Sequence, residues 1–258
     1  MNTTSLRRAR THAARFRPTE AQDSTVIAPN LRLSSLGRQV LSRYGGAGVA
    51  ARFYLNLRWR WTPYERIAAC VPSQGLILDL GSGHGLLSLA MGLSEPGRTI
   101  VGIDHDPQRV LLARQAAAGI ANLDYATGSL LEAVANAARR GRISAIVILD
   151  ALHYLNRAEQ EAFLAHARTS LQPHGVLVIR DVDAGAGKNF LVNRVYEKTM
   201  TGLGFTRAKG LTFRTQHEWL EVLAQSGFQT ASEPCSRFPF ADRLFVCTPS
   251  VQVAARAA

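Results

Sequence analysis

The residues best suited to chemistry lie between Leu76 and Gly85, where a short apolar run is followed by an acid and three closely spaced glycines. The apolar run predicts a buried strand, and the uncharged stretch from Leu86 to about Ser94 predicts a helix after the turn. Glycines at this spacing allow positive φ and bring bare backbone N–H groups near a ligand at the start of a helix. The third glycine comes one residue earlier than in the dinucleotide-binding pattern, and Asp79 precedes the first. This arrangement favours a ligand that is cationic at the turn over a diphosphate.

A second acid follows the glycine turn at the distance that is typical of ribose recognition. Thr99 to Ile103 predicts a strand that ends in Asp104, about twenty residues after the glycines. A carboxylate at that place can accept hydrogen bonds from ribose hydroxyls. Asp104 also suits the cap of a helix that begins at Pro107, and the two roles are compatible.

Two stretches resemble the first two motifs of class I S-adenosylmethionine-dependent methyltransferases, over a region of about residues 70 to 250. They are Asp79-Leu80-Gly81-Ser82-Gly83-His84-Gly85 and Asp104-His105-Asp106-Pro107. The resemblance implies an α/β fold: a Rossmann-like, seven-stranded, mostly parallel sheet with helices on both faces and an antiparallel last strand. It also implies S-adenosyl-L-methionine as cofactor and S-adenosyl-L-homocysteine as product. The predicted cofactor-binding residues are Asp79, Gly81, Ser82, Gly83, Gly85, Asp104, His105, Gly128, Ser129 and Asp150, of which Ser129 departs from the acid that the family usually carries beside the adenine.

The most apolar predicted strand, Ile143 to Leu149, ends in the turn Asp150-Ala151-Leu152-His153-Tyr154. Ligands of open α/β sheets bind beyond the carboxyl ends of strands, so this turn is expected to border the site. An oxygen acceptor must lose its proton near the moment of methyl transfer. His153 is the candidate general base, because an imidazole with an ordinary pKa near 6.5 can be neutral and accept that proton. Its resemblance to Leu-His-Tyr turns of small-molecule methyltransferases equally fits a pocket-wall residue, and both roles stay open.

The segment from Leu31 to Val71 predicts helices that carry many aromatic and basic side chains. It can cover one face of the sheet, close as a lid over cofactor and acceptor, or do both. Arg180 comes at the end of the fifth predicted strand, Gly175 to Ile179, and would clamp an acceptor carboxylate, because a guanidinium binds this group through two hydrogen bonds. The alternative for Arg180 is a charge-compensated surface cluster with Asp181 and Asp183. The predicted substrate-lining residues are Tyr44, Tyr54, Arg58, Tyr154 and Arg180.

Composition limits the class of protein. A chain of 258 residues with 47% hydrophobic and 19% charged residues can bury one substantial core. The sequence has no run of about eighteen apolar residues, so no membrane span is predicted. The three cysteines lack metal-ligand spacing and predict free thiols in a reducing compartment, with no metal site and a cytoplasmic location.

Most of the formal net charge of +11 lies near the start of the chain, since residues 1–70 hold 12 arginines and three acidic residues. We expect residues 1–30 to be a disordered basic leader, 31–70 a helical cap, 71–250 the catalytic domain and 251–258 a short tail. An arginine-rich start also resembles an organelle transit peptide. It can equally attract an acidic protein partner, a membrane surface or RNA.

Together these features predict methyl transfer to a small aromatic or apolar acceptor, lipid-like or polyketide-like compounds included, with O-methylation as the expected reaction. One alternative is an RNA methyltransferase that uses the basic N-terminal region. Against it, the turn after the fourth strand lacks the Asn/Asp-Pro-Pro-aromatic pattern of enzymes that methylate exocyclic base amines. Another alternative is a non-catalytic scaffold subunit, which the intact acids and glycines of both motifs disfavour. A small molecule is therefore the expected partner, and nucleic acid is not.

Overall fold

The computed structural model describes residues 33–140, 142–187, 189–190, 210–235 and 240–250. The predicted leader, the tail and most of residues 188–213 lie outside these ranges. The described helices are α1 (Ser35–Ser42), α2 (Val49–Trp61), α3 (Tyr64–Ala69), α4 (Leu86–Ser94), α5 (Pro107–Ala116), α6 (Leu130–Arg140), α7 (Arg157–Ser170) and α8 (Gln216–Gln225). The strands are β1 (Gly75–Leu80), β2 (Arg98–Asp104), β3 (Leu123–Thr127), β4 (Ile143–Leu149), β5 (Leu171–Val182), β6 (Phe228–Pro234) and β7 (Asp242–Pro249).

The seven strands form one sheet in the order β3-β2-β1-β4-β5-β7-β6. Strands β1 to β5 run parallel to one another, whereas β7 is antiparallel to both β5 and β6. The predicted fold class is confirmed, including the antiparallel last strand. The chain runs outward from β1 to β3 and then returns to place β4 on the other side of β1. The carboxyl ends of β1, β2 and β4 therefore meet at the switch point where ligands of such sheets bind.

The sheet separates two buried clusters. The cap helices α1–α3 pack with α4 and α5 on one face, and α6, α7 and α8 pack on the other. Strand β4 serves both clusters, because Ala145 and Val147 belong to the first and Ile146 and Ile148 to the second. A strand that is apolar on both faces is what this central position requires.

Local sequence explains where the helices that border the site begin. Asn156 and Glu159 form a reciprocal capping box at the start of α7, with N–H to side-chain distances of 2.9 and 2.8 Å. Helix α5 begins at Pro107 after the N-cap Asp106, whose carboxylate accepts from two backbone N–H groups. The expectation that Asp104 caps this helix is therefore wrong. Asp106 caps it, and the Asp104 carboxylate remains for the site.

Strand β5 is longer than the predicted Gly175 to Ile179, because β7 pairs with its carboxyl end. Arg180 and Asp181 thus lie inside a paired strand, opposite Leu244 and Arg243, and both are buried. They do not form a surface cluster. Among the described residues, no helix has the length and hydropathy that crossing a bilayer requires.

Arg98 joins the cap to the sheet. Its buried guanidinium donates to the carbonyl oxygens of Ala68, Val71, Pro72 and Met91 at 2.8–3.1 Å. The carbonyls of Val71 and Pro72 follow α3. Those of Ala68 and Met91 lie near the ends of α3 and α4, where Arg98 adds a donor to one backbone N–H each. One side chain therefore satisfies backbone acceptors of two helices that pack on the same face of the sheet.

We expect Arg98→Met to lower the free energy of unfolding by about 3 kcal/mol, because buried carbonyl oxygens lose their donor. Urea denaturation followed by circular dichroism measures this change. Arg139→Met on the exposed surface of α6 is the control and should change stability by less than about 0.5 kcal/mol. An equal effect of the two substitutions would show that water replaces the Arg98 guanidinium at no cost.

Candidate functional site

A cavity of about 700 Å³ lies at the carboxyl edge of the sheet, between the glycine turn, the ends of β2 and β4, and helix α2. This volume is in the usual range for small-molecule sites. The residues predicted from the sequence that line it are Asp79, Gly81, Ser82, Gly83, Asp104, His105, Gly128, Asp150, Tyr54, Arg58 and Tyr154. In the part of the chain that the structure describes, no group of three or more His, Cys, Asp or Glu side chains is placed to hold a metal ion.

The glycine turn after β1 has positive φ at Gly81, Gly83 and Gly85, with values of 73°, 55° and 85°. A Cβ at Gly81 would lie 2.9 Å from the Cβ of Ala151, and one at Gly85 would overlap the Tyr125 hydroxyl. At Gly83 no such neighbour lies within 4 Å, because this residue borders the cavity. Gly83 therefore allows a ligand to approach the backbone closely, whereas Gly85 does not line the cavity and shapes the turn by packing on Tyr125.

The amides of this turn do not form the expected bare N–H cradle. Gly81 and Ser82 donate to the Ile103 carbonyl at 2.7 and 3.0 Å, and Gly83 donates to Asp104 Oδ2 at 2.8 Å. Gly85 donates to the Ser82 carbonyl at 2.9 Å. These donors are committed within the protein, which fits a ligand without a diphosphate.

Asp104 ties the turn to β2 and borders the cavity. Besides Gly83, its carboxylate accepts from the Asp106 N–H at 2.9 Å, on the other oxygen. His105 Nδ1 lies 3.4 Å from the same oxygen. Because each carboxylate oxygen has two lone pairs, Asp104 can still accept hydrogen bonds from hydroxyls in the cavity.

Asp79 lies buried beneath the turn, where Ser88 donates its hydroxyl to Oδ2. Burial raises the pKa of Asp79 to about 6, the hydrogen bond from Ser88 opposes this rise, and nearby Asp104 adds to it. Ionising a carboxyl in this setting is unfavourable without a cation close by. The wall of the cavity at Asp79 therefore favours a cationic ligand group.

Asp150 follows β4 and has a different electrostatic setting. One carboxylate oxygen accepts from Arg180 Nη1, and the other accepts from Arg58 Nη2 at 2.8 Å. Burial raises the pKa of Asp150, but Arg180 and Arg58 outweigh it and hold this pKa below its ordinary value. Asp150 thus borders the cavity as an ion-paired carboxylate.

Arg180 does not line the cavity, contrary to the prediction. Only 4% exposed, it donates to Asp150, to Asp242 at 2.5 Å and to the Cys235 carbonyl at 3.2 Å. Although burial opposes it, Asp150 and Asp242 raise the pKa of Arg180 above its ordinary value. The proposed carboxylate clamp fails because protein acceptors already hold the guanidinium.

Tyr44 and Ser129 also lie outside the cavity wall. Tyr44 is buried behind the glycine turn and donates its hydroxyl to the His84 carbonyl at 2.6 Å, so it supports the turn from outside the cavity. Ser129 is exposed, and its carbonyl accepts from the Ala133 N–H in the first turn of α6. Its neighbour Gly128 is the residue that borders the cavity.

His153 is fully buried next to the wall and not in it. Its Nδ1 lies 2.6 Å from Asp181 Oδ1, and its ring packs against Tyr154 and Phe213 at centroid distances of 4.3 and 5.1 Å. Tyr154 lines the cavity, as does Thr212, whose N–H donates to the His153 carbonyl at 2.8 Å. The bond to Asp181 favours the tautomer protonated at Nδ1, in which Nε2 is the basic nitrogen.

Several wall residues were not predicted, among them His84, Arg109 and Glu159. Burial lowers the pKa of His84 to about 4, and Arg109 lowers it further, so this ring is neutral near pH 7. The position of His84 between two glycines of the motif was a usable signal, and so was the capping pattern that contains Glu159. Arg109 lies within a helix and has no local pattern that marks it.

Comparison with known proteins gives a domain match and a shared fold. Residues 77–175 match a family model described as a methyltransferase domain. The structure of the mitomycin 7-O-methyltransferase is 17% identical with a TM-score of 0.60, over 84% of this chain and 61% of that one. Human N-acetylserotonin methyltransferase in complex with SAM is 16% identical with a TM-score of 0.55, over 84% of this chain and 57% of that one. The complex between the Haloferax volcanii Trm112 methyltransferase activator and a methyltransferase matches at 15% identity and a TM-score of 0.60, over 82% of this chain and 98% of that one.

The chain spans about three fifths of the length of the first two of these structures. At these identities the structural likeness shows the fold, and the domain match covers the glycine turn, Asp104 and the turn after β4. Residues 77–175 therefore match a methyltransferase domain, and the whole sheet has the fold of the solved methyltransferases to which the chain is similar.

Proposed function

We propose that the protein transfers a methyl group from S-adenosylmethionine to an oxygen atom of a small aromatic or apolar acceptor. The observation that carries this proposal is a single cavity whose wall includes both the motif residues and the aromatic side chains of the cap. S-adenosylmethionine, when bound, supplies a methyl group on a sulfonium, which is electrophilic without further activation. The protein therefore has to bind the cofactor and the acceptor, align them with each other and exclude water.

The residues at the glycine turn fit the cofactor. Gly83 leaves room beside the backbone, and the remaining lone pairs of Asp104 suit ribose hydroxyls. The buried carboxyl of Asp79 suits a positively charged group. His105 and Gly128 extend the same wall towards the end of β3.

The acceptor would meet the opposite wall, which carries three tyrosines. Tyr54 and Tyr64 come from the cap, and Tyr154 comes from the turn after β4. Behind them Phe213 packs against Phe190 at a centroid distance of 5.2 Å. A wall of this kind binds flat or apolar groups and carries hydroxyls that orient them.

The charges of the wall favour a small acceptor over RNA. Its acidic residues are Asp79, Asp104, Asp150 and Glu159, and its arginines are Arg58 and Arg109. An excess of acid repels a phosphate backbone. The basic leader, on which an RNA acceptor or an acidic protein partner would depend, lies outside the described residues.

We assign the general base to the pair of His153 and Asp181. Asp181 would hold Nδ1–H and stabilise the imidazolium that forms when Nε2 takes the acceptor proton. A plain wall residue needs no carboxylate at 2.6 Å, so the pair favours the base over the wall role. Because the ring is buried beside Tyr154, the acceptor oxygen must reach Nε2 past this side chain.

The reaction is tested by incubating the protein with S-adenosylmethionine and a panel of phenols and aromatic carboxylic acids. Mass spectrometry should find O-methyl products together with S-adenosylhomocysteine. Methylation of nitrogen or carbon instead would contradict the assigned reaction. Binding of the cofactor without transfer to any member of a broad panel would contradict the acceptor class.

Gly83→Ala tests the cofactor wall against Gly119→Ala, a matched control that also has positive φ and open space around its Cβ position. Each substitution should cost about 1 kcal/mol of stability through the same backbone strain. Only Gly83→Ala should weaken S-adenosylhomocysteine binding, by about tenfold or more, because its methyl group enters the cavity. Calorimetric titration measures this, and equal affinities of the two variants would contradict the site.

Asp79 should make cofactor binding pH-dependent. Since its folded pKa of about 6 is above the ordinary value, the carboxyl is protonated below this pH and becomes anionic as pH rises through it. S-adenosylmethionine should therefore bind more tightly at pH 7 than at pH 5, and its affinity should rise by at most about tenfold per pH unit. Titrations at several pH values should show that Asp79→Asn binds weakly and loses this slope, whereas exposed Asp124→Asn keeps it. An unchanged slope in Asp79→Asn would assign the dependence to another group.

His153→Asn should lower kcat by roughly 10²–10⁴-fold, as loss of a general base does, while leaving S-adenosylhomocysteine affinity within about twofold. Asp181→Asn should also lower kcat, since it removes the partner that holds the ring. His166→Asn on the exposed face of α7 is the control and should have normal kinetics. Near-normal turnover by His153→Asn would identify His153 as a packing residue.

A further inference from the structure

Asp150 has a strained backbone at the edge of the cavity. Its φ of 53° lies in the left-handed region, which among the described non-glycine residues it shares with Arg142 alone. Aspartate adopts this conformation more readily than most residues with a Cβ, and glycine would adopt it without strain. The chain carries a carboxylate here, and this carboxylate borders the cavity.

The carboxylate is one member of a row of alternating charges. Arg58 on α2 binds Asp150, Asp150 binds Arg180, and Arg180 binds Asp242 at the start of β7. Arg180 is held from three directions, since its Nε also donates to the Cys235 carbonyl. Asp150 and Arg180 are thus fixed in the sheet, and Arg58, with 24% of its side chain exposed, is the member that belongs to the cap.

Helix α2 has few fully buried side chains, so this ion pair contributes to its attachment beside the packing of Trp59 on Tyr64 and of Trp61 on Phe240. Of its 13 residues only Leu55 and Trp59 are buried. Tyr54 and Arg58, one turn apart, line the cavity, and the Tyr54 ring meets the His84 ring edge-on at 5.7 Å. The position of α2 therefore determines how the wall closes over the glycine turn.

We propose that Asp150 is a positioning residue, which holds Arg58 and thereby sets helix α2 and Tyr54 over the cofactor turn. Cofactor affinity and attachment of α2 to the sheet then depend on one ion pair. Only the ligand in this proposal, S-adenosylmethionine, rests on the proposed function. The attachment of α2 is a property of the chain by itself.

The variants are chosen by the number of positive and negative side chains that each leaves in this row. Asp150→Asn leaves Arg58 and Arg180 with Asp242 as the one remaining carboxylate of the row, so two guanidinium groups repel each other where one is buried. Removing both members of the pair, in Arg58→Met with Asp150→Asn, leaves Arg180 balanced by Asp242. The double variant should therefore unfold at higher urea than Asp150→Asn alone, which is the mark of direct coupling.

The experiment measures tryptic cleavage within α2, at Arg52 and Arg60, and calorimetric binding of S-adenosylhomocysteine. Asp150→Asn should be cut about tenfold faster and should bind about tenfold more weakly, since loss of a partly buried ion pair releases the helix. Arg58→Lys should retain most of both properties, because it keeps the charge. The double variant should regain stability while remaining easily cut and weakly binding.

Glu233→Gln is the matched control. It breaks a second ion pair between cap and sheet, Arg66 to Glu233 at 2.5 Å, which lies away from the cavity wall. It should leave cleavage in α2 and S-adenosylhomocysteine affinity as in the unmodified protein.

Two outcomes would overturn the proposal: cleavage and affinity of Asp150→Asn equal to those of the unmodified chain, or the same losses in Glu233→Gln. If Asp150→Asn fails to fold, the cleavage rate and the affinity of the charge-balanced double variant decide whether the proposal stands. If the unmodified protein binds no S-adenosylhomocysteine, the proposed function fails, and the cleavage rates in α2 alone support or overturn the positioning role.

Discussion

The carboxyl end of β2 holds the glycine turn of β1 in a shape that depends on its glycines. The Ile103 carbonyl accepts two amides of the turn, and the Asp104 carboxylate accepts a third. The chain can make all three bonds only with left-handed backbone at Gly81, Gly83 and Gly85. The turn therefore presents a bare Cα and a carboxylate to the cavity instead of amide donors. This explains why the site suits a ribose and a cationic group better than a diphosphate.

The three aspartates at the strand ends lie in different electrostatic settings, although all three border one cavity. Asp150 is neutralised by arginines, Asp104 accepts backbone N–H groups, and Asp79 has a serine hydroxyl as its hydrogen-bond partner. These settings raise the pKa of Asp79 and lower that of Asp150. A positive ligand charge therefore gains most at Asp79, where desolvation is least compensated. Identical residue types at equivalent positions thus have different roles because their neighbours differ.

Local patterns determined what could be predicted from the sequence. Helix α4 and strand β4 begin and end at the predicted residues, because an uncharged helical stretch and an apolar run are visible within a few residues. The length of β5 and the burial of Arg180 were missed, because both depend on β7, which pairs from more than sixty residues further along the chain. Two motifs, of seven and four residues, indicated the cavity wall at the glycine turn and the end of β2. The opposite wall is assembled from the cap, the turn after β4 and the residues Gly210 and Thr212, and no local spacing relates these segments.

The packing of the cap limits how a ligand can enter. Helices α1 and α3 bury Val40, Ile67 and Ala68 in the same cluster as α4, and Arg98 bonds the end of α3 to the sheet. Lifting the whole cap would expose several large side chains, at a cost of roughly 1.5–3 kcal/mol each. This cost exceeds the free energy that one ion pair contributes. The amino-terminal half of α2 is different, since Val49 and Phe53 are 83% and 71% exposed and glycines precede it. The amino-terminal half of α2 is therefore the part of the cap whose movement costs least, while α1 and α3 belong to the core.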